Sequence, residues 1–276
     1  MLHVRHIESL DQPELVPYRT LRQSSDHEKQ RIFVAEGEKV VARLIESDLE
    51  IQSLLITPDW LSVYRLRLES KPGDPAVFVG EKSLLSSIVG YHLHQGVMAV
   101  ARIPEGATLD AIINHSPKPV LFVAIDGMTN SENLGVLVRN CAGFGVHALI
   151  VGETSSSPWL RRAVRNSMGA VFNLPIVHSH NLAKTLLELE TKFSVRVIAA
   201  HPHADKRSSE HYQFKSNCCL VFGSEGYGIS EKVLAACNDA VAIPMNRGVD
   251  SLNVSSASAV FLYEVVRQRN AEKISD

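Results

Sequence analysis

The chain has 276 residues, 45% of them hydrophobic and 21% charged, and a formal net charge of −2. That balance excludes a disordered segment and allows a sizeable buried core, and the length suggests two domains, common domain sizes being about 100–200 residues. A near-neutral total also excludes a chain that is basic throughout, so any surface for a polyanion has to be a local patch.

Residues 1–8 lack the apolar run of a signal peptide, and no later run approaches the roughly 18 apolar residues of a membrane span, so a cytoplasmic protein is expected. From Ile32 onward, short apolar runs at 32–35, 53–57, 76–79 and 96–101 alternate with polar helical stretches, the clearest at 37–47. This pattern predicts a small α/β layer. The breaker-rich Asn114-His115-Ser116-Pro117-Lys118-Pro119 closes a linker placed at 103–118, between a domain at 1–102 and a second at 119–276.

The second domain reads as βαβ units with near-continuous apolar strands at 120–126, 146–151, 174–178, 195–200, 218–223 and 240–244. Strands buried on both faces look like this, which predicts a mostly parallel sheet covered by helices. A last helix follows Asn253. Ligands in open sheets of this type gather at the carboxyl ends of the strands, which is where the unusual residues fall.

Four cysteines are too few for a disulfide framework. Cys218 and Cys219 face opposite sides of a strand and are expected to be reduced and buried. His201-Pro202-His203 and His92-Leu93-His94 have metal-ligating residue types but no Cys or carboxylate partner at a ligand spacing, so no metal is expected. Lys206-Arg207 reads as an ordinary charged turn.

Three segments carry the chemistry. After the strand ending at Ile125-Asp126, Asn133 and Arg139 stand six positions apart on a helix, about 120° around its axis. After the strand at 218–223 comes Gly223-Ser224-Glu225-Gly226-Tyr227-Gly228, a GxxGxG order that departs from the GxGxxG dinucleotide fingerprint, with the next helix starting later, at an apparent cap on Ser230. The third, 243–255, places Ser251, Asn253 and Ser255 before the last helix. One of them suffices as a cap, and the surplus points to a site.

Together the NxGxxxR pattern at 133–139, LVFGSEGYGIS at 220–230 and IPMNRGVDSLNVSSA at 243–257 resemble the three motifs of the SpoU (TrmH-like) branch of the SPOUT RNA methyltransferases. Val34-Ala35-Glu36-Gly37-Glu38 and His94-Gln95-Gly96-Val97-Met98-Ala99-Val100 resemble that family's L30e-like RNA-binding domain. The resemblance implies a C-terminal domain tied in a deep trefoil knot. It implies S-adenosylmethionine held mostly by main chain at Ala200, His201, Gly223, Ile243, Met245 and Leu252. The reaction implied is methyl transfer to a ribose 2′-hydroxyl, with Arg139, Asn133, Glu225, Ser251 and Asn253 as site residues. Ribosomal RNA is expected ahead of transfer RNA. The competing readings are a non-catalytic RNA-binding protein of the same fold and a methyltransferase acting on a base.

In the family the arginine matching Arg139 is taken as a base, but a guanidinium with a pKa above about 12 accepts protons poorly near neutrality. A clamp on the adjacent phosphate and the developing alkoxide fits its chemistry better. Glu225 is expected to fix Arg139 or the loop. A homodimer is also implied, and its paired first domains would gather Arg5, Arg19, Arg22, Lys29 and Arg31 on one basic surface.

Overall fold

The computed structural model describes residues 2–21, 23–89, 96–202 and 211–273. His92, His94, Gln95, His203, Lys206, Arg207 and Arg22 lie outside the described residues. The chain divides into two compact units, Met1–Glu105 with Trp159–Phe172 and Gly106–Pro158 with Asn173–Asp276.

The first unit contains β1 (His3–His6), α1 (Val16–Arg19), α2 (Ser24–Lys29), β2 (Ile32–Glu36), α3 (Glu38–Glu46), β3 (Ile51–Ile56), α4 (Pro58–Glu69), β4 (Ala76–Val79), α5 (Lys82–Val89) and β5 (Val97–Arg102). The sheet order is β1-β4-β3-β5-β2; β1, β4 and β3 run parallel, and β5 is antiparallel to both β3 and β2. Each apolar run read from the sequence is a strand here. The edge strand β1 escaped because it is polar and mostly exposed, leaving no hydrophobic period to detect. Helix α3 buries Val40, Val41, Leu44 and Ile45 along one face, the spacing that marks a helix packed on a sheet.

Two of the five cations expected to form a basic surface carry acidic partners, Arg5 with Glu14 at 3.0 Å and Arg19 with Asp11 at 3.5 Å. The Arg31 guanidinium donates to the Pro104 carbonyl at 2.9 Å. Pairing of this kind weakens the positive field that a count of arginines suggests.

The second unit continues with α6 (Leu109–His115), β6 (Leu121–Ile125), α7 (Ser131–Gly143) and β7 (Ala148–Val151). Next in the chain is α8 (Arg161–Asn166), which lies inside the segment that packs with the first unit. Then follow β8 (Ile176–His178), α9 (Leu182–Phe193), β9 (Arg196–Ala200), β10 (Cys218–Phe222), α10 (Glu231–Leu234), β11 (Asp239–Val241) and α11 (Val254–Lys273). The strand order is β11-β9-β10-β6-β7-β8, and every neighbouring pair is parallel. From β6 the chain moves toward β7 on one side, and from β10 toward β11 on the other. The order of connections therefore reverses between β6 and β10, the switch point at which such sheets open a crevice.

Two boundaries differ from the sequence-based expectation. The stretch 103–118 is not a bare linker, because Thr108 caps α6 by accepting the Ala111 N–H at 3.3 Å, and Ile112 and Ile113 are buried in the second unit's core. Residues 159–172 pack with the first unit rather than the second, since Trp159 and Phe172 both lie against Phe33, with ring centroids at 5.0 Å and 5.6 Å. Arg161 adds an ion pair with the nearly buried Glu36. An aromatic cluster of this size outweighs sequence order in deciding where a short segment packs.

Cys141, Cys218 and Cys219 are buried free thiols, and burial pushes the Cys218 thiol up to about 11. Reactive thiolate chemistry is thereby disfavoured at that position. Among the described residues no helix is long and apolar enough to cross a membrane, and no group of three His, Cys, Asp or Glu is placed to hold a metal ion.

Candidate active site

The carboxyl ends of β9, β10 and β11 open into a cavity of about 520 Å³. Apolar side chains of Phe222, Val241, Ile243 and Phe261 wall it, and the carboxylates of Glu225 and Asp250 stand on its lining. All six positions expected to hold a cofactor border it: Ala200, His201, Gly223, Ile243, Met245 and Leu252. Of the five expected catalytic residues, Glu225, Ser251 and Asn253 border it as well, whereas Asn133 and Arg139 do not.

The loop leaving β10 owes its shape to two glycines. A Cβ on Gly223 would lie 2.1 Å from the Gly228 carbonyl carbon, so the backbone of one strand end is pressed against the far side of its own turn. Gly228 takes φ +68°, the left-handed region that glycine enters without strain. The turn is closed by reciprocal hydrogen bonds, Ser224 N–H to the Gly228 carbonyl at 2.9 Å and Gly228 N–H to the Ser224 carbonyl at 3.0 Å. The Ser224 hydroxyl also accepts the Tyr227 N–H at 3.1 Å.

Asp126, at the carboxyl end of β6 and only 5% exposed, anchors this loop from the neighbouring strand. Its carboxylate accepts the Ser230 N–H at 2.7 Å and the Thr154 hydroxyl at 3.4 Å. Sequence reasoning noted Asp126 only as a strand end; the signal that marks it is an acid closing a fully buried apolar strand, a place where a charge survives only with partners. Ser230 stands at the cap position of α10 but makes no side-chain cap; it is its own N–H that is held, by Asp126.

Asn253 does two things at once. Its side-chain oxygen caps α11 by accepting the Ser255 N–H at 2.9 Å, and its amide donates to Asn133 Oδ1 at 3.2 Å. The bland reading of Asn253 as a cap and the functional one are therefore compatible. Two turns further along α7, Asn140 donates to the Ser255 carbonyl at 2.8 Å and the Ser258 hydroxyl at 3.0 Å, so a polar seam fixes α7 to the start of α11. Asn133 does not border the cavity and is linked to it through Asn253. The N-terminus of α7 is capped by Asn130, which accepts the Glu132 and Asn133 N–H groups at 2.9 and 3.2 Å.

Arg139 lies on the exposed side of the same helix. Among the described residues no hydrogen bond or ion pair engages its guanidinium, and none engages the Glu225 carboxylate. Arg139 and Glu225 are thus not partners in this structure, and the Glu225 carboxylate, expected to fix Arg139 or the loop, makes neither contact among the described residues. The reason is geometric: Asn133 takes the face of α7 that meets α11, and six residues of helix turn Arg139 away from it.

Beyond the loop, Lys232 of α10 donates to Glu153 at 2.6 Å, and Glu153 also accepts the Leu182 N–H at the start of α9, at 2.9 Å. The Lys232 ammonium above all, with backbone N–H groups, holds the Glu153 carboxyl down to about 2, against a smaller opposing effect of burial. A depressed carboxyl contributes stability that is complete above its ordinary value of 4.5 and is lost as pH falls toward 2. Glu153→Gln should therefore show a smaller fall in melting temperature than the parent chain between pH 4.5 and 2. Parallel slopes for the two proteins across that window would show that Glu153 contributes nothing there.

Residues 120–263 match the family model described as the SpoU rRNA Methylase family. Over 96% of its length the chain is 31% identical to a protein of Mycobacterium tuberculosis named as an uncharacterized tRNA/rRNA methyltransferase, of which it covers 93%. It is 35% identical, over 70% of its length, to 79% of a 23S rRNA (guanosine-2′-O-)-methyltransferase of Pasteurella multocida. Its fold is similar to that of an AdoMet-bound rRNA methyltransferase from Sinorhizobium meliloti, with a TM-score of 0.81 at 23% identity over 96% of this chain and 98% of that one.

Proposed function

This chain belongs to the SpoU rRNA methylase family, and from that premise we propose that it transfers a methyl group from S-adenosylmethionine to a ribose 2′-hydroxyl of RNA. The observation that carries this reading is convergence. Nine of the expected site residues, from three separate stretches of sequence, border one cavity at the carboxyl ends of parallel strands. The naming of the Pasteurella multocida relative for 23S rRNA supports ribosomal over transfer RNA.

The residues present fit the cofactor. A cavity of 520 Å³ falls within the range of about 300–1,000 Å³ typical of small-molecule sites. Phe222, Val241, Ile243 and Phe261 suit an apolar ring, while Glu225 and Asp250 suit a ligand that carries positive charge. Gly223 and the irregular stretch from Ile243 to Leu252 bring main chain to the cavity wall. S-adenosylmethionine supplies a methyl carbon already activated by its sulfonium.

What the protein's own groups must do is hold a ribose oxygen in line and stabilise the charge that grows on it. We assign Asn253 and Ser251 to orient the ribose at the cavity rim, Asn133 to fix Asn253, and Arg139 to grip a flanking phosphate and favour the developing alkoxide. Glu225 contributes negative charge at the cavity wall. The reading includes the trefoil knot and a homodimer. Val136 on α7 and Val260 and Tyr263 on α11 support the dimer, being exposed apolar side chains on two helices that pack together. Sedimentation at micromolar concentration should give twice the chain mass.

Incubating the protein with S-adenosylmethionine and either ribosomal or transfer RNA, followed by mass spectrometry of the nucleosides, tests the central claim. A 2′-O-methylated nucleoside in the ribosomal sample is expected. A methylated base instead, or no methylation of either RNA, would defeat it.

A further inference from the structure

Tyr227 is the most exposed large apolar residue among those described, at 98%. An aromatic ring held in water has a cost that folding normally removes, and a lone exposed aromatic on a mobile loop would need no explanation. This one is not on a loose loop. Its own N–H is bonded to the Ser224 hydroxyl, the turn around it is closed by the Ser224–Gly228 pair, and the loop's far end is anchored by Asp126. Gly223 is packed so tightly on Gly228 that the base of the turn has no room to collapse and let the ring fold back. The backbone therefore presents the ring outward at the rim of the cavity that it helps to line.

Resting on the function proposed above, we infer that Tyr227 is a stacking platform for a nucleobase of the RNA, holding unstacked the nucleotide whose ribose enters the site. Single-stranded RNA is recognised chiefly by splaying bases out and stacking them on aromatic side chains, and every base offers a face for this. Bringing one ribose into a cavity at a strand end requires that its base leave the stack of its neighbours, which costs free energy that a waiting ring offsets. The cofactor's adenine is a second base of the same chemistry. Its natural wall is the dry one, where Phe222, Val241 and Phe261 are each no more than 2% exposed, and a ring bathed in solvent is the wrong place for it.

The full-length protein and its Tyr227→Phe and Tyr227→Ala variants, assayed on protein-free ribosomal RNA with separate calorimetry of S-adenosylmethionine binding, test this. Removing a stacked base contact should raise the KM for RNA about tenfold in Tyr227→Ala, with Tyr227→Phe close to the parent and cofactor affinity unchanged in both. A KM for RNA within twofold of the parent in Tyr227→Ala overturns the inference. So does a weakened cofactor affinity with KM for RNA unmoved, which would assign the ring to adenine, or a shift of Tyr227→Ala to monomer on light scattering, which would assign it to the dimer. Absence of ribose methylation by the parent protein would instead defeat the proposed function itself, so the two failures are distinct.

Discussion

Gly223→Ala should lower S-adenosylmethionine affinity about 100-fold or more while leaving a folded protein. The added Cβ would sit 2.1 Å from the Gly228 carbonyl carbon and 2.3 Å from both the Gly228 oxygen and the Ile229 nitrogen. All three are backbone atoms, so no rotamer change relieves the clash. The turn itself must open, breaking the Ser224–Gly228 pair and pulling Ser230 from Asp126. Two or three hydrogen bonds at about 1 kcal/mol each, lost from the element that shapes the cavity, correspond to roughly that change in affinity. Overpacking of this kind costs about 1–3 kcal/mol of stability, less than the 5–15 kcal/mol that a typical domain holds, so the fold should survive. Gly226→Ala is the control, because a Cβ there meets nothing within 4 Å. Calorimetry of both variants decides the matter: equal cofactor affinity in the two would remove Gly223 from the site.

Arg139→Ala should reduce kcat by about 10²–10³, the usual cost of removing one donor aimed at developing negative charge. Cofactor affinity should not change, since Arg139 does not border the cavity. That separation is informative, because a variant that merely disturbed α7 would loosen Asn133 and Asn253 and affect both quantities. Arg139→Lys distinguishes two forms of the idea. A lysine keeps the charge but not the planar fork, so a bidentate grip on phosphate predicts a large loss there too. Near-normal methyl transfer by Arg139→Lys would leave charge alone as the requirement.

Glu225, expected to fix Arg139 or its own loop, borders the cavity without a protein partner among the described residues. Spacing within a motif gives the rotation of residues along one helix, but nothing about a loop from another strand 86 positions later. Asp126 was overlooked for the complementary reason: its importance lies in the Ser230 N–H that it accepts, 104 residues away. Asn253 was legible as a helix cap and proved to be one, with its amide turned to Asn133, a use no local rule contains.

Every strand but the polar edge strand β1, the long last helix and the placement of the unusual residues at strand ends follow from hydrophobic period, glycine and capping chemistry, and the amino-acid sequence determined these by itself because each depends on neighbours within a few positions. Strand order, the switch between β6 and β10, the packing of 159–172 against Phe33 and the convergence of three separate stretches on one cavity were decided only in the tertiary structure. Those features come from contacts between residues far apart in the chain, where the deciding quantity is which apolar surfaces and hydrogen-bonding groups find partners, and periodicity carries no record of that choice.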